Sequence, residues 1–376
     1  MHIPVGVPVP SIYPSLDEAP KVKSSKLVGF PPGLSQAVEQ ASKEFQARFW
    51  ICDNSGSMQS HDGTRMIPRE DGSMAAISST RWAELGDTVM RIGEVALALR
   101  CRTDFHLLTP IQGTARPRQF LTLEEGGGIG SSLGLSGLKS ASEGRCSLAD
   151  LREVMDGTPY YSTPLTEAVQ TISRLIEPSA SALRSRGQRV LVVVATDGRP
   201  DNPHTFVHAM RELQRLPVLV VVRLCTSDSS VVDYWSSVDK ELEAPLDALD
   251  DLVGEAREIR RFNRWLTYGH SLHTAREFGL VHHLFDRLDE GPLLPSQVKE
   301  LCELILGCRL PEPQVDKAAF FRALTAALQD AGEVFDPLSR RMKPWVDLDA
   351  LEAHLNPSCA NVVSQLCREL AYTLGV

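Results

Sequence analysis

Phe49-Trp50-Ile51-Cys52-Asp53-Asn54-Ser55-Gly56-Ser57 opens as an unbroken apolar run and closes in turn-forming polar residues. A run without polar alternation fits a strand buried on both faces, and Asp-Asn-Ser-Gly is good turn chemistry after it. The pattern returns downstream. Val190-Leu191-Val192-Val193-Val194 leads into Thr196-Asp197-Gly198-Arg199-Pro200, and Val218-Leu219-Val220-Val221-Val222 forms a third run ending at Cys225. Helical signals lie between. Trp82, Leu85, Val89, Ile92, Ala96 and Leu99 step by three and four residues, which predicts a helix from about Arg81 to Arg100. Further helices are expected from Pro164 to Ile176, Pro203 to Leu213, Val231 to Val238 and Ala248 to Arg260, with strands at Phe105 to Thr109 and Gln119 to Leu123 and an extended piece at Leu242 to Leu246. Strand–helix alternation with fully apolar strands predicts an α/β fold over residues 45–262: a doubly wound, mostly parallel, Rossmann-like sheet covered on both faces.

Outside this unit the pattern changes. Pro4, Pro8, Pro10, Pro14, Pro20, Pro31 and Pro32 favour extended backbone, so residues 1–44 are expected to be a proline-rich arm without a helix. Beyond Asn263 only helical periodicity is visible, as in Val298, Leu301, Cys302, Ile305 and in Phe320, Leu324, Leu328. Residues 263–376 are therefore expected to form an all-α C-terminal module. The chain of 376 residues is 43% hydrophobic and 23% charged, a globular composition. Its net charge of −9 provides no basic field for nucleic acid or an anionic membrane. The eight cysteines are scattered with no Cys-x-x-Cys pair, which reads as reduced thiols. No basic, then apolar, leader opens the chain, and no run nears the roughly 20 apolar residues of a membrane span. A cytoplasmic protein is expected.

Three polar segments carry the chemistry. Asp53, Ser55 and Ser57 follow the first buried strand, Asp197-Gly198 follows the second, and Thr163-Pro164 lies between them. Singly they are ordinary: two turns and a helix start. In an open α/β sheet, however, all three lie at or beside the carboxyl edge of the strands, where such sheets place ligands. Two carboxylates and three hydroxyls gathered there need a cation to remain charged. Oxygen-only donors suit Mg²⁺ and, less well, Mn²⁺ or Ca²⁺. The set resembles the metal-ion-dependent adhesion site of the von Willebrand factor A family: Asp-x-Ser-x-Ser, a distant Thr and a later Asp-Gly, within residues of about 45–260. The resemblance implies a metal held by the hydroxyls of Ser55, Ser57 and Thr163, with Asp53 and Asp197 binding directly or through water. It also implies a partner protein whose Asp or Glu completes the coordination.

Other motifs are weaker. Gly128-x-Gly130 has Leu133 where a dinucleotide fingerprint needs its third glycine, and no Lys-Ser/Thr pair follows for a Walker motif. His204 and His208 have helix spacing for two zinc ligands but no intervening Glu, so a solvated face is expected. His270, His273, His282 and His283 read as surface or interface histidines, and Cys225 as a small buried hydrophobe. Residues 336–347 have the length of a calcium loop, yet Leu338 and Arg340 stand at ligand positions. No general base or nucleophile pair accompanies the metal motif, so the expected function is Mg²⁺-dependent protein binding by an adaptor or scaffold, not catalysis. Two alternatives remain open. One is the recognition subunit of an ATPase-driven complex whose motor is a separate protein. The other is a Mg²⁺-dependent hydrolase, against which Ser55 stands where aspartyl-phosphate enzymes of this topology place a second Asp.

Overall fold

A computed structural model describes residues 27–68, 74–111, 118–124, 145–160, 162–226, 228–242 and 247–356. Its centre is a six-stranded sheet built from β1 (Phe45–Cys52), β4 (Thr103–Ile111), β5 (Arg118–Leu123), β6 (Arg189–Thr196), β7 (Val218–Leu224) and β8 (Asp247–Leu249), in the order β5-β4-β1-β6-β7-β8. Every neighbouring pair is parallel except β4 with β5. The chain moves outward from β1 to β4 on one side and from β6 to β7 and β8 on the other. The strand order therefore switches direction between β1 and β6, whose carboxyl ends are where sheets of this kind place their ligands.

Alternation along each strand feeds two cores. Ala47, Phe49 and Ile51 of β1 and Val190, Val192 and Val194 of β6 face one side. That side is covered by α4 (Leu165–Ile176), α5 (Ala180–Ser185), α6 (Pro203–Gln214) and α7 (Ser229–Glu241). Trp50 and Cys52 with Leu191, Val193 and Ala195 face the other, under α2 (Arg81–Ala98), α3 (Leu148–Met155) and α8 (Leu252–Phe262). Helix α2 starts on Thr80, whose side chain accepts from the Ala83 amide, and stops just before Arg100, whose φ of 54° breaks helical geometry. A hairpin of β2 (Gly63–Pro68) and β3 (Met74–Ser79), with no counterpart in the sequence reading, links the loop after β1 to α2.

Two expectations need correction, and a third falls largely outside the described residues. Residues 32–42 are a helix, α1, where an arm without helix was expected. Pro31 is its N-cap and Pro32 its first residue, positions where a missing N–H costs no helical hydrogen bond. The helix is pressed against α10 (Pro295–Leu306): a Cβ on Gly33 would lie 2.2 Å from the Gly307 amide nitrogen, so only glycine permits the contact. The segment after residue 263 holds α9 (His270–Glu277), α10, α11 (Lys317–Ala331) and α12 (Leu348–Leu355), but it is not all-α. It also contains the hairpin of β9 (Glu333–Asp336) and β10 (Arg341–Pro344). Asp336 organises that turn by accepting from the Leu338 amide at 2.9 Å, Ser339 Oγ at 2.7 Å and Lys343 Nζ at 2.6 Å. Finally, the extended piece expected at 242–246 lies outside the described residues beyond Leu242. The observed strand is 247–249, and α8 begins at Leu252 because the Asp251 side chain caps the amides of Val253 and Gly254.

The segment after 263 packs on the sheet. Leu272, Phe278, Leu301 and Phe320 share one apolar cluster with Val89, Ile92, Leu191 and Val193. Buried Arg48 of β1 donates to the Phe278 carbonyl at 3.3 Å and lies 4.0 Å over the Phe278 ring. Gly279, at φ +99°, lets the chain turn there, where a Cβ would meet Phe45 at 2.9 Å and Leu191 at 3.2 Å.

Candidate metal edge

The site grows from the ends of β1 and β6. The Asp53 amide continues their ladder, donating to the Ala195 carbonyl at 2.9 Å. This places the Asp53 carboxylate beside β6, fully buried, where Oδ2 accepts from Thr196 Oγ1 at 2.6 Å and Oδ1 from the Ser55 amide at 2.9 Å. Asn54 fixes the loop on its other side through two bonds to the Thr109 backbone, 2.8 and 3.0 Å. Burial pushes the Asp53 carboxyl up to about 6, opposed by the hydrogen bonds from Thr196 and Ser55 and reinforced by the charge of Asp197.

From this buried base the oxygens lead outward. Ser55 Oγ lies 3.0 Å from Ser57 Oγ, and Ser57 Oγ donates to Asp197 Oδ1 at 2.8 Å. Ser55 and Asp197 are buried, while Ser57 is exposed. The structure thus brings Asp53, Ser55, Ser57 and Asp197 together. Among the described residues no hydrogen bond ties Thr163 to that group; its backbone pairs instead with Asp201, four residues beyond Asp197. The Thr163 amide donates to Asp201 Oδ1 at 3.3 Å, and its carbonyl accepts from the Asp201 amide at 3.4 Å. Separations of 2.8 and 3.0 Å are those of ordinary hydroxyl hydrogen bonds, and neighbouring oxygens around a small octahedral cation stand about as far apart.

Sequence reasoning missed Arg81. Its Nη1 donates to Asp197 Oδ2 at 2.8 Å, and its Nε and Nη2 hold Asp62 at 2.7 and 2.6 Å. These bonds, first those to Asp62, raise the guanidinium above its ordinary value, while the same arginine holds Asp62 below the usual carboxylate range. Nothing in the sequence marks it, because its partners are 19 and 116 residues away.

The remaining candidates separate cleanly. His204 and His208 are exposed on α6. Cys225 is buried, and desolvation pushes its thiol up to about 12, an inert state. The surface reading of the later histidines fails for His273 and His282, which are 3% and 9% exposed because their segment packs inward. His282, His283 and Glu300 place ligand atoms within 4.8 Å of one another. There, however, His282 Nδ1 accepts from the Leu284 amide at 3.3 Å, which puts the proton on the Nε2 facing Glu300. Gly128 and Gly130 lie outside the described residues. Among the described residues no helix is long and apolar enough to cross a membrane.

No protein-family model matches the chain, and no curated protein matches it. Among solved structures it is similar to proximal thread matrix protein 1 from the mussel byssus, at 13% identity and a TM-score of 0.27, over 47% of this chain and 37% of that one. It is also similar to the manganese-loaded TRAP protein of Plasmodium vivax, at 13% identity and a TM-score of 0.29, over 55% of this chain and 69% of that one. Both likenesses are partial, and the chemistry of the edge rests on this chain's own residues.

Proposed function

We propose that this chain is a metal-dependent protein-binding module of von Willebrand factor A type, an adaptor or scaffold that engages an Asp or Glu of a partner. The observation that carries the reading is the run of oxygens Ser55 Oγ, Ser57 Oγ and Asp197 Oδ1 at 3.0 and 2.8 Å, leading from a buried carboxylate to the surface at the sheet's switch point. Ser55, Ser57 and Thr163 would hold Mg²⁺ through hydroxyls, with Asp53 and Asp197 as the carboxylates. A bound Mg²⁺ supplies an electrophilic position for one anionic oxygen.

The chain's own groups favour binding over catalysis. Among the described residues, the side-chain hydrogen bonds of Asp53, Ser55, Ser57 and Asp197 run to hydroxyls, a backbone amide and Arg81, and none of these is a general base. Six described cysteines are free, which supports a reducing, cytoplasmic setting.

Affinity capture on the immobilised chain in Mg²⁺ and in EDTA tests the reading. Partners are expected to be retained in Mg²⁺ and released by the chelator. Equal retention in both buffers would contradict it. A large assembly that dissociates with ATP would instead identify the recognition subunit of a motor complex.

A further inference from the structure

Arg81 stands among the carboxylates of the metal edge, and backbone and side chain both fix it there. It is the first residue of α2, and its amide donates to the Ser60 carbonyl at 3.0 Å. The loop entering β2 is pressed on the start of that helix, since a Cβ on Gly63 would lie 2.8 Å from the Thr80 carbonyl oxygen. The guanidinium then divides its bonds between two acids. Nη1 donates to Asp197 Oδ2 at 2.8 Å, while Nε and Nη2 hold Asp62 at 2.7 and 2.6 Å. The two acids differ in setting. The Asp197 side chain has no exposure, whereas that of Asp62 is 52% exposed.

A carboxylate as buried as Asp197 is costly unless a cation compensates it, and Arg81 is the cation that the chain itself supplies. The two oxygens of Asp197 are turned to different partners, Oδ1 to the Ser57 hydroxyl and Oδ2 to the guanidinium. A divalent ion that draws on Asp197 therefore meets a positive charge already bonded to the same carboxylate, and the two cations repel. Asp62 limits that competition, because its paired bonds hold the guanidinium from the solvent side.

We propose that Arg81 is a built-in counter-ion of this edge. It neutralises Asp197 while no metal is bound and competes with the divalent cation for that carboxylate. The inference rests on the metal-binding reading above and adds what tunes it: Arg81 keeps metal affinity below what the oxygens alone would give and keeps the edge assembled when the metal leaves.

Calorimetric titration with MgCl₂ and thermal melts in EDTA test this on the full chain, as wild type, Arg81→Gln and Arg81→Lys. Arg81→Gln is expected to bind Mg²⁺ about tenfold more tightly, as for removal of a charged hydrogen-bond partner, and to melt several degrees lower in EDTA, where Asp197 is left uncompensated. Arg81→Lys, which keeps the charge, should return both readouts toward wild type. Wild-type or weaker Mg²⁺ affinity in Arg81→Gln, or an unchanged midpoint in EDTA, would overturn the proposal while leaving the metal reading intact. No Mg²⁺ binding by the wild type would overturn the metal reading and the counter-ion role with it. Should Arg81→Gln not fold, Asp62→Asn at its exposed position frees the guanidinium for Asp197 and is expected to weaken Mg²⁺ binding several-fold. Undiminished affinity in Asp62→Asn would count equally against the proposal.

Discussion

Asp197→Ala is expected to abolish Mg²⁺ binding and Mg²⁺-dependent partner capture while leaving the circular-dichroism spectrum intact. Asp197 supplies one oxygen to Ser57 and the other to Arg81, and its side chain is shielded from solvent. Its loss does not strand the arginine, which keeps two bonds to Asp62. The charge balance at the edge reverses, however. Asp53 is then the one remaining carboxylate among the proposed ligands, and the Arg81 guanidinium faces the hydroxyls with less to neutralise it. Outer-shell substitutions around metals cost about 10–100-fold in affinity, so removing a proposed ligand that also balances Arg81 should cost more than about 100-fold. Calorimetry with MgCl₂ reads this directly. Wild-type affinity in Asp197→Ala would exclude the carboxylate from the site.

Much of this arrangement can be read from the chain. The runs Phe49–Cys52, Val190–Val194 and Val218–Val222 are legible as β1, β6 and β7 because strands buried on both faces need no polar alternation. Asp53, Ser55, Ser57 and Asp197 stand out because each immediately follows such a strand. Arg81 does not, since its role depends on where the hairpin β2–β3 delivers the start of α2. Helix α1 is hidden because Pro31 and Pro32 look like breakers, and only the observed cap shows them at positions that tolerate proline. Strands β9 and β10 have four residues each, too short for a period to declare itself, and their turn is set by the Asp336 side chain. The burial of His273 comes from α9 packing on α2, a long-range contact that helical periodicity does not encode.

Leu191→Ala should produce the largest loss of stability. Leu191 is fully buried in β6, flanked by β1 and β7, and its Cδ2 reaches the position where a Cβ on Gly279 would stand, at 3.2 Å. Truncation removes apolar contacts from both the sheet and the segment after α9, and central strands cannot collapse into the space. The expected cost is about 2 to 5 kcal/mol. Urea unfolding should show the midpoint falling with the slope unchanged, since the same surface is exposed. A loss under about 1 kcal/mol would mean that this position is not closely packed.

The most direct measurement of the central claim is a pair of thermal melts of the wild-type chain, one in Mg²⁺ and one in EDTA. A ligand that binds only the native state stabilises it by about 2.7 kcal/mol at a hundred times its dissociation constant, which corresponds to a rise of several degrees. The account predicts that rise with Mg²⁺ and its disappearance in Asp197→Ala. Identical midpoints in Mg²⁺ and EDTA, with metal removal verified in the chelated sample, would contradict it.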